Sequence, residues 1–348
     1  MKKVKLLDCT LRDGGYINNW KFGEKAIPDM IEKLVESNVD ILEVGFLKDE
    51  PYQPDRTVFC NMSQISDLIK PKKPGLLYAA MIEVVNPIPL EMLSPCSSDT
   101  VDIIRVIVWK TKHTADGEVA DALEEGYEYC KGVVERGYKL CVQPARVDQY
   151  SDEEFAAMVK KFSTLNPYAI YVVDSWGTQN SENLLHYMHI ADDIMPGEIS
   201  LGYHGHNNMM QAFGTAQAMI NAGFKRDIII DASVYGIGRG AGNLNTEIIV
   251  EYLNEVLDCH YHLAPIIDVF SDYIKAIYMK TPWGYSYGYF MSAYYGVNPN
   301  YASFYEREIG LSAAEIGKIM AVMTQEDRII FNKMRAKHYL EKQHLLSK

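Results

Sequence analysis

His204 and His206 stand two residues apart, at the end of an apolar run that reads as a β-strand. Side chains at i and i+2 leave a strand on the same face, so both imidazoles can reach one ion. Asn207 and Asn208 follow, poor strand formers and good cap residues, which puts the pair at a strand end. The plainer alternative is two hydrogen-bonded histidines at a helix start. Asp13 sits beside Arg12 after another strand-like run, with Gly14 and Gly15 behind it. Such an adjacent pair is often structural, but the glycines permit tight backbone conformations that side chains forbid. One carboxylate and two neutral imidazoles form an N/O ligand set with open positions. Without thiolates it suits Mn²⁺, Mg²⁺, Zn²⁺ or Fe²⁺, with Mn²⁺ the leading expectation. Two open positions facing a 2-oxo acid would let the ion hold its carboxylate and ketone oxygens and act as a Lewis acid on the forming enolate. Arg12 cannot lose its proton, so it would stabilise charge there and not act as a base.

Gly236–Asn243 carries Gly238, Gly240 and Gly242 at alternate positions. The dinucleotide spacing G-x-G-x-x-G is not met, because the third glycine comes one residue early. A backbone that approaches the site closely explains the glycines better. Asn243 then offers a neutral oxygen, either as a fourth ligand or as a hydrogen bond to the ligand shell.

These residues need strands to carry them. Short runs rich in β-branched residues occur at Val4–Cys9, Ile41–Phe46, Leu76–Ile82, Ile103–Trp109, Lys139–Gln143, Ala169–Asp174, Ile199–His204 and Ile228–Val234. Helix-like stretches alternate with them, including Pro28–Ser37, Val119–Arg136, Asp152–Phe162, Asn183–Asp192 and Met209–Ala222. Eight strand–helix units close naturally into an α/β (β/α)₈ TIM barrel, whose active site lies at the C-terminal ends of the strands. After residue 260 the strand signal stops and helical periodicity continues. We therefore expect a catalytic barrel over 1–260 and a helical appendage over 261–348. The tyrosine-rich run Trp283–Tyr295 in the appendage reads first as core or interface. Cys259-His260-Tyr261-His262 looks metal-like but falls past the last barrel helix. Glu43, Arg105 and Gln143 on inner strands are read equally as substrate-facing groups or as polar plugs within the barrel.

The 348 residues and 48% hydrophobic content are ample for one barrel plus an appendage. A net charge of −12 argues against a nucleic-acid partner. The six cysteines are scattered with no CxxC pair, and the N-terminal apolar run is too short for a signal peptide. No stretch approaches the ~20 apolar residues of a membrane helix. The expectation is free thiols in a reducing cytoplasm.

The opening Asp8-Cys9-Thr10-Leu11-Arg12-Asp13-Gly14 and the later His204-Gly205-His206-Asn207 resemble the DRE-TIM metallolyase superfamily. Asp174-Ser175, Asp231-Ala232-Ser233 and Gly240-Ala241-Gly242-Asn243 look most like its 4-hydroxy-2-oxovalerate aldolase group. The resemblance covers roughly residues 1–260. It implies a barrel, a divalent metal on Asp13, His204 and His206, Asn243 as a fourth ligand, and a pyruvate enolate stabilised by Arg12. Aldolases of that group also borrow a tyrosine from the C-terminal domain, and Tyr289 is the candidate. One departure stands out. The group places a catalytic histidine three residues after the metal aspartate, and this chain has Tyr16 there. A tyrosine near pKa ~10 is a poor base but a competent acid or hydrogen-bond donor. His113, in the loop after the fourth strand, is the alternative base.

The reading is an aldolase that cleaves a 4-hydroxy-2-oxo acid to pyruvate and an aldehyde, or runs in reverse. Two alternatives stand beside it: an acyl-CoA lyase or Claisen-condensing enzyme on the same barrel, and a barrel without catalysis that serves as an assembly subunit. No concentrated basic patch supports the CoA reading, and nothing structural requires Arg12, Asp13, His204 and His206 together. A homo-oligomer is expected. A partner aldehyde dehydrogenase, as aldolases of this group have, is a further implication.

Overall fold

The computed structural model describes residues 3–113 and 119–343. Eight parallel strands form its centre: β1 Val4–Asp8, β2 Ile41–Leu47, β3 Leu77–Glu83, β4 Ile103–Val108, β5 Lys139–Pro144, β6 Ala169–Asp174, β7 Ser200–Gly205 and β8 Ile228–Ala232. Each pairs with its neighbours in chain order. β1 pairs with β8 on one side (Leu6↔Ile230) and with β2 on the other (Leu7↔Ile41), which closes the barrel. Helices follow most strands and pack outside, among them Ala26–Glu36, Leu123–Glu135, Ser181–Ile194 and Thr246–Leu257.

Two local readings change. The Val119–Arg136 stretch is not helical from its start. Val119–Asp121 pairs antiparallel with Thr111–His113, and the helix begins at Leu123. Ala122 N–H donates to Lys110 O at 3.0 Å, extending that ladder. The helix expected from Met209 begins at Ala212, because Met210 takes a left-handed φ of 56°. The crossover from β3 to β4 has only a 3₁₀ turn, Leu90–Met92. Pro87, Pro89 and Pro95 in that stretch deny it backbone donors.

The barrel interior is layered. Leu7, Ile41, Ala79, Ile103, Cys141, Ala169 and Ile229 form an apolar floor. Gly202 belongs at that level by register, and a Cβ on it would fall 2.4 Å from the Tyr171 ring. Two residues further along the same inward faces, the side chains turn polar: Glu43, Arg105, Gln143, Asp231 and His204. Period-two alternation makes this second layer follow directly from the first.

The tail packs in two ways. Ile266, Val269, Ile274 and Trp283 join the main core. A second apolar core gathers Tyr289, Val297, Tyr301, Phe304, Tyr305, Ile319, Met320 and Tyr339, with Ala241 of the glycine loop seated among them. Tyr285, Tyr287 and Tyr294 of the same aromatic run face outward.

Asp8, at the end of β1, is fully buried and accepts from Thr10 N–H at 2.9 Å and Thr246 Oγ1 at 2.7 Å. Burial outweighs these bonds and pushes its carboxyl up from 3.8 to about 6. Between those values the folded chain holds the proton more tightly than the unfolded chain. Stability from this group is therefore lost as pH rises from about 4 to about 6, by up to about 3 kcal/mol. Asp8→Asn should remove that slope in denaturant unfolding measured at pH 4 and pH 7. An unchanged slope would assign it to other groups.

Candidate active site

Asp13 ends a single helical turn, Thr10–Asp13, that leaves β1 directly. Gly14 has ordinary helical angles (φ −58°, ψ −26°), so its role is space and not an unusual backbone. A Cβ there would lie 2.4 Å from Thr10 O, and one on Gly15 would enter the Trp20 ring. Trp20 Nε1 donates to Arg12 O at 2.7 Å, which pins the turn. His204 lies on β7 and His206 just past it, where it forms an isolated bridge with Asn243. Asp13, His204 and His206 are all buried, and their ligand atoms lie within 4.8 Å of one another. Among the described residues no other group of histidine, cysteine and acidic side chains converges in this way, and Cys259–His262 does not.

An ionic chain beneath the three residues holds them. Arg12 donates through a terminal nitrogen to Asp13, and through Nε to Glu43 at 2.8 Å. Arg105 pairs with the same Glu43 oxygen at 2.8 Å and donates to Asp231. Asp231 Oδ2 lies 3.0 Å from His204 Nδ1. An ionised carboxylate only accepts, so Nδ1 carries the proton and Nε2 is free to face an ion. The Gln143 amide lies against Arg105, and the orientation that satisfies both groups turns its oxygen toward the guanidinium, 3.1 Å from a terminal nitrogen. Glu43 and Arg105 are thus polar plugs that also brace the site, while Gln143 additionally lines the cleft.

The electrostatics suit a cation. Two guanidiniums face three carboxylates (Asp13, Glu43, Asp231), which leaves one net negative charge if the imidazoles are neutral. Burial opposes the charge on Asp13, but Arg12, His206 and His204 outweigh it and hold the carboxyl far below its ordinary range. Burial pushes His206 down to about 3 against the pull of Asp13, so its ring is neutral and able to ligate. Asn243 donates to Asp13 Oδ2 at 2.8 Å, while its buried Oδ1 has no partner among the described residues. An orphaned amide oxygen on a residue bonded to Asp13, together with that carboxylate and the two imidazoles, fits a divalent ion of the N/O-binding kind. Gly238 makes room for this arrangement: a Cβ would fall 2.5 Å from Asp13 Oδ2 and 2.3 Å from Asn243 Nδ2.

The three residues floor an open cleft at the C-terminal ends of the strands, with about 60 Å³ of enclosed space. Arg12, Tyr16, Met81, Glu83, Trp109, Ser175 and Arg239 also line it. Tyr16 rests against Trp20 and Phe46, with ring centroids 5.0 and 6.3 Å away. Tyr16 keeps 38% of its surface exposed, and partial loss of water around it, then the nearby carboxylates Glu83 and Asp13, push its phenol above the usual range. Tyr16 is therefore a donor and not a base at neutral pH. Tyr289 is buried outside the cleft, in an adjoining cavity that shares Tyr16 and Arg239, and its hydroxyl meets Ser303 Oγ at 2.8 Å. The backbone of His113 lies in the hairpin after β4, and its side chain lies outside the described residues.

Glu83 and Arg239 were missed in the sequence. Strand three was expected to end at Ile82, one residue short of Glu83, although inward alternation Ala79–Met81–Glu83 was available to carry the strand further. Trp109 Nε1 donates to Glu83 Oε1 at 3.2 Å and orients it. Arg239 was hidden among glycines that drew attention to the backbone alone.

Residues 3–269 match the HMGL-like family model. The chain belongs to the HMGL-like family. As a member it is a carbon–carbon lyase, and the DRE-TIM resemblance of its opening and of its His204–His206 pair holds. A 4-hydroxy-2-oxovalerate aldolase of Geobacillus genomosp. 3 is 24% identical over 80% of this chain and 79% of its own length. An oxaloacetate decarboxylase of Mycobacterium tuberculosis is 23% identical over 82% and 81%. Among solved structures, the N-terminal domain of a putative aldolase from Bacteroides vulgatus superposes with a TM-score of 0.74 at 22% identity, covering 91% of this chain and all of that one. Among the described residues no helix is long and apolar enough to cross a membrane.

Proposed function

We propose that the protein is a divalent-metal-dependent aldolase that cleaves a 4-hydroxy-2-oxo acid to pyruvate and an aldehyde, or joins them. The observation that carries this reading is the meeting of Asp13, His204 and His206 under an open cleft, with Arg12 alongside. Asp13, His204, His206 and Asn243 Oδ1 would hold the ion, with Mn²⁺ the leading choice over Mg²⁺, Zn²⁺ and Fe²⁺. Bound there, it supplies Lewis acidity toward the carboxylate and ketone oxygens of the substrate.

The chain's own residues supply the rest. Arg12 faces the C2 oxygen and stabilises the negative charge that develops as the C3–C4 bond breaks. The electron pair of that bond passes to the enolate, and the C4 hydroxyl must lose its proton as the aldehyde forms. Tyr16 is held protonated and suits a hydrogen bond to that hydroxyl. Of the carboxylates and imidazoles that line the cleft, Asp13, His204 and His206 are committed to the ion. Glu83 remains, and we assign it the proton. His113 stays the alternative acceptor, and Tyr289 is assigned to the wall of the adjoining cavity. Return of a proton to C3 releases pyruvate.

Six free thiols support a reducing cytoplasm, and exposed Tyr285, Tyr287 and Tyr294 offer area for a homo-oligomer or for an aldehyde dehydrogenase partner.

A coupled pyruvate-release assay over a panel of 4-hydroxy-2-oxo acids, with and without Mn²⁺, tests the function. Release only with metal is expected, and metal-independent release would refute the reading. Glu83→Gln should lower kcat for cleavage by about 10²–10⁴-fold. Decarboxylation of oxaloacetate needs the enolate but no hydroxyl proton acceptor, so it should persist in that variant. Equal losses in both reactions would remove the acid–base role. Tyr16→Phe should slow cleavage with little change in Mn²⁺ affinity, and an unaffected rate would shift its role to His113 or to water.

A further inference from the structure

The cleft adjoins a second cavity of about 310 Å³, between the glycine loop after β8 and the tail helices, with Tyr16 and Arg239 common to both. Arg307, Asn300, Ser303 and Tyr289 complete the second. Its two cations are unusually placed for a chain of net charge −12. Arg12, Arg105, Arg146 and Arg226 each hold a carboxylate, and Arg136 and Arg328, which hold none among the described residues, each give at least two donor nitrogens to backbone carbonyls. Among the described residues neither Arg239 nor Arg307 has an ion-pair partner. Arg239 gives one terminal nitrogen to Asn298 Oδ1 at 3.1 Å, and its Nε is buried with nothing to bond. Arg307, on the exposed rim, gives one terminal nitrogen to Pro282 O at 2.5 Å. Both guanidiniums lie 5.9 Å from a tyrosine ring of the cavity, Tyr16 for Arg239 and Tyr289 for Arg307. The carboxylate on that wall, Glu308, is taken by Lys333 at 2.7 Å.

A guanidinium with an unspent buried donor lacks a bidentate acceptor, and carboxylates and phosphates are the groups that match its fork. We propose that this cavity receives the far end of the substrate, and that this end is anionic: a carboxylate or phosphate carried by the aldehyde half. The proposal rests on the aldolase reading above. Arg12 and the metal ligands take the 2-oxo acid end. The second cavity opens beside Tyr16, next to the carbon that bears the hydroxyl, so the substituent on C4 is the part that enters it.

The test uses the Mn²⁺-loaded protein and three 4-hydroxy-2-oxo acids of similar length, whose C4 substituents end in methyl, carboxylate or phosphate. Wild type should favour an anionic end by about tenfold or more in kcat/KM, and the two anionic arms identify which group it is. In Arg239→Gln and in Arg307→Gln the ratio of anionic to methyl-ended substrate should fall by about tenfold, chiefly through KM. Arg307 is exposed, so its variant keeps the test valid if Arg239→Gln folds poorly. Equal or better cleavage of the methyl-ended acid by wild type, or a ratio unmoved in both variants, overturns the proposal and leaves the aldolase reading standing. Cleavage of none of the three would end both.

Discussion

Asp13→Asn should give a folded protein that no longer holds Mn²⁺ at micromolar concentration and releases pyruvate about 10³-fold more slowly. The carboxylate is the only anion among the proposed ligands, and its charge is maintained against burial by Arg12. Replacing it with an amide removes the main attraction for the ion while preserving shape. Arg12 keeps Glu43 at 2.8 Å, so the ionic layer beneath survives and folding should be little affected. Calorimetric titration with Mn²⁺ and a pyruvate-release assay read the two losses separately. His204→Ala should behave alike. If release is unchanged in both variants, the proposed mechanism is wrong.

Arg105→Met should act on stability first. Arg105 is completely buried and neutralises Glu43 and Asp231 together. Removing one member of a buried ionic cluster leaves uncompensated charge and costs about 3–5 kcal/mol. Burial opposes the charge on Asp231, and Arg105 is the leading group that overrides it. Without that support Asp231 orients His204 less firmly, and Mn²⁺ affinity should fall about 10–100-fold. Denaturant unfolding and metal titration measure the two effects. A variant as stable as wild type would mean that the layer is not held by its charges.

The His204–His206 pair was legible because two residues on one strand need only the local period of two. Asp13 was legible because it lies in the short turn after the first strand, and the run of glycines before Asn243 because it marks a close backbone approach, which the lack of room for a Cβ on Gly238 bears out. The ionic layer was only half legible. Glu43, Arg105 and Gln143 could be noticed singly, yet their union with Asp231 depends on the register of strands far apart in the chain. Ile41, Ile103, Cys141 and Ile229 each precede a polar partner by two positions, a pattern that acquires meaning once the strands are aligned. Glu83 escaped because strand ends are weakly marked, and a single residue decided whether it faced the cleft. The 3₁₀ crossover and the pairing of Thr111–His113 with Val119–Asp121 escaped because amphipathic periodicity is ambiguous over short runs.

Asn298 ties the glycine loop of the barrel to the tail, beside Ala241, which is seated in the second core. Its side chain accepts from Arg239, its amide nitrogen donates to Ile329 O at 2.9 Å, and its backbone N–H reaches Arg328 O at 2.8 Å. On the proposed function the barrel carries the bond-breaking residues and Arg239, whereas Tyr289 and Arg307, on the opposite wall of the cavity proposed for the departing fragment, are mounted on the tail. Bond chemistry and fragment choice can then diverge independently. Exchanging tail segments between kindred barrels should retune which aldehyde is accepted while the machinery that forms pyruvate stays as it is.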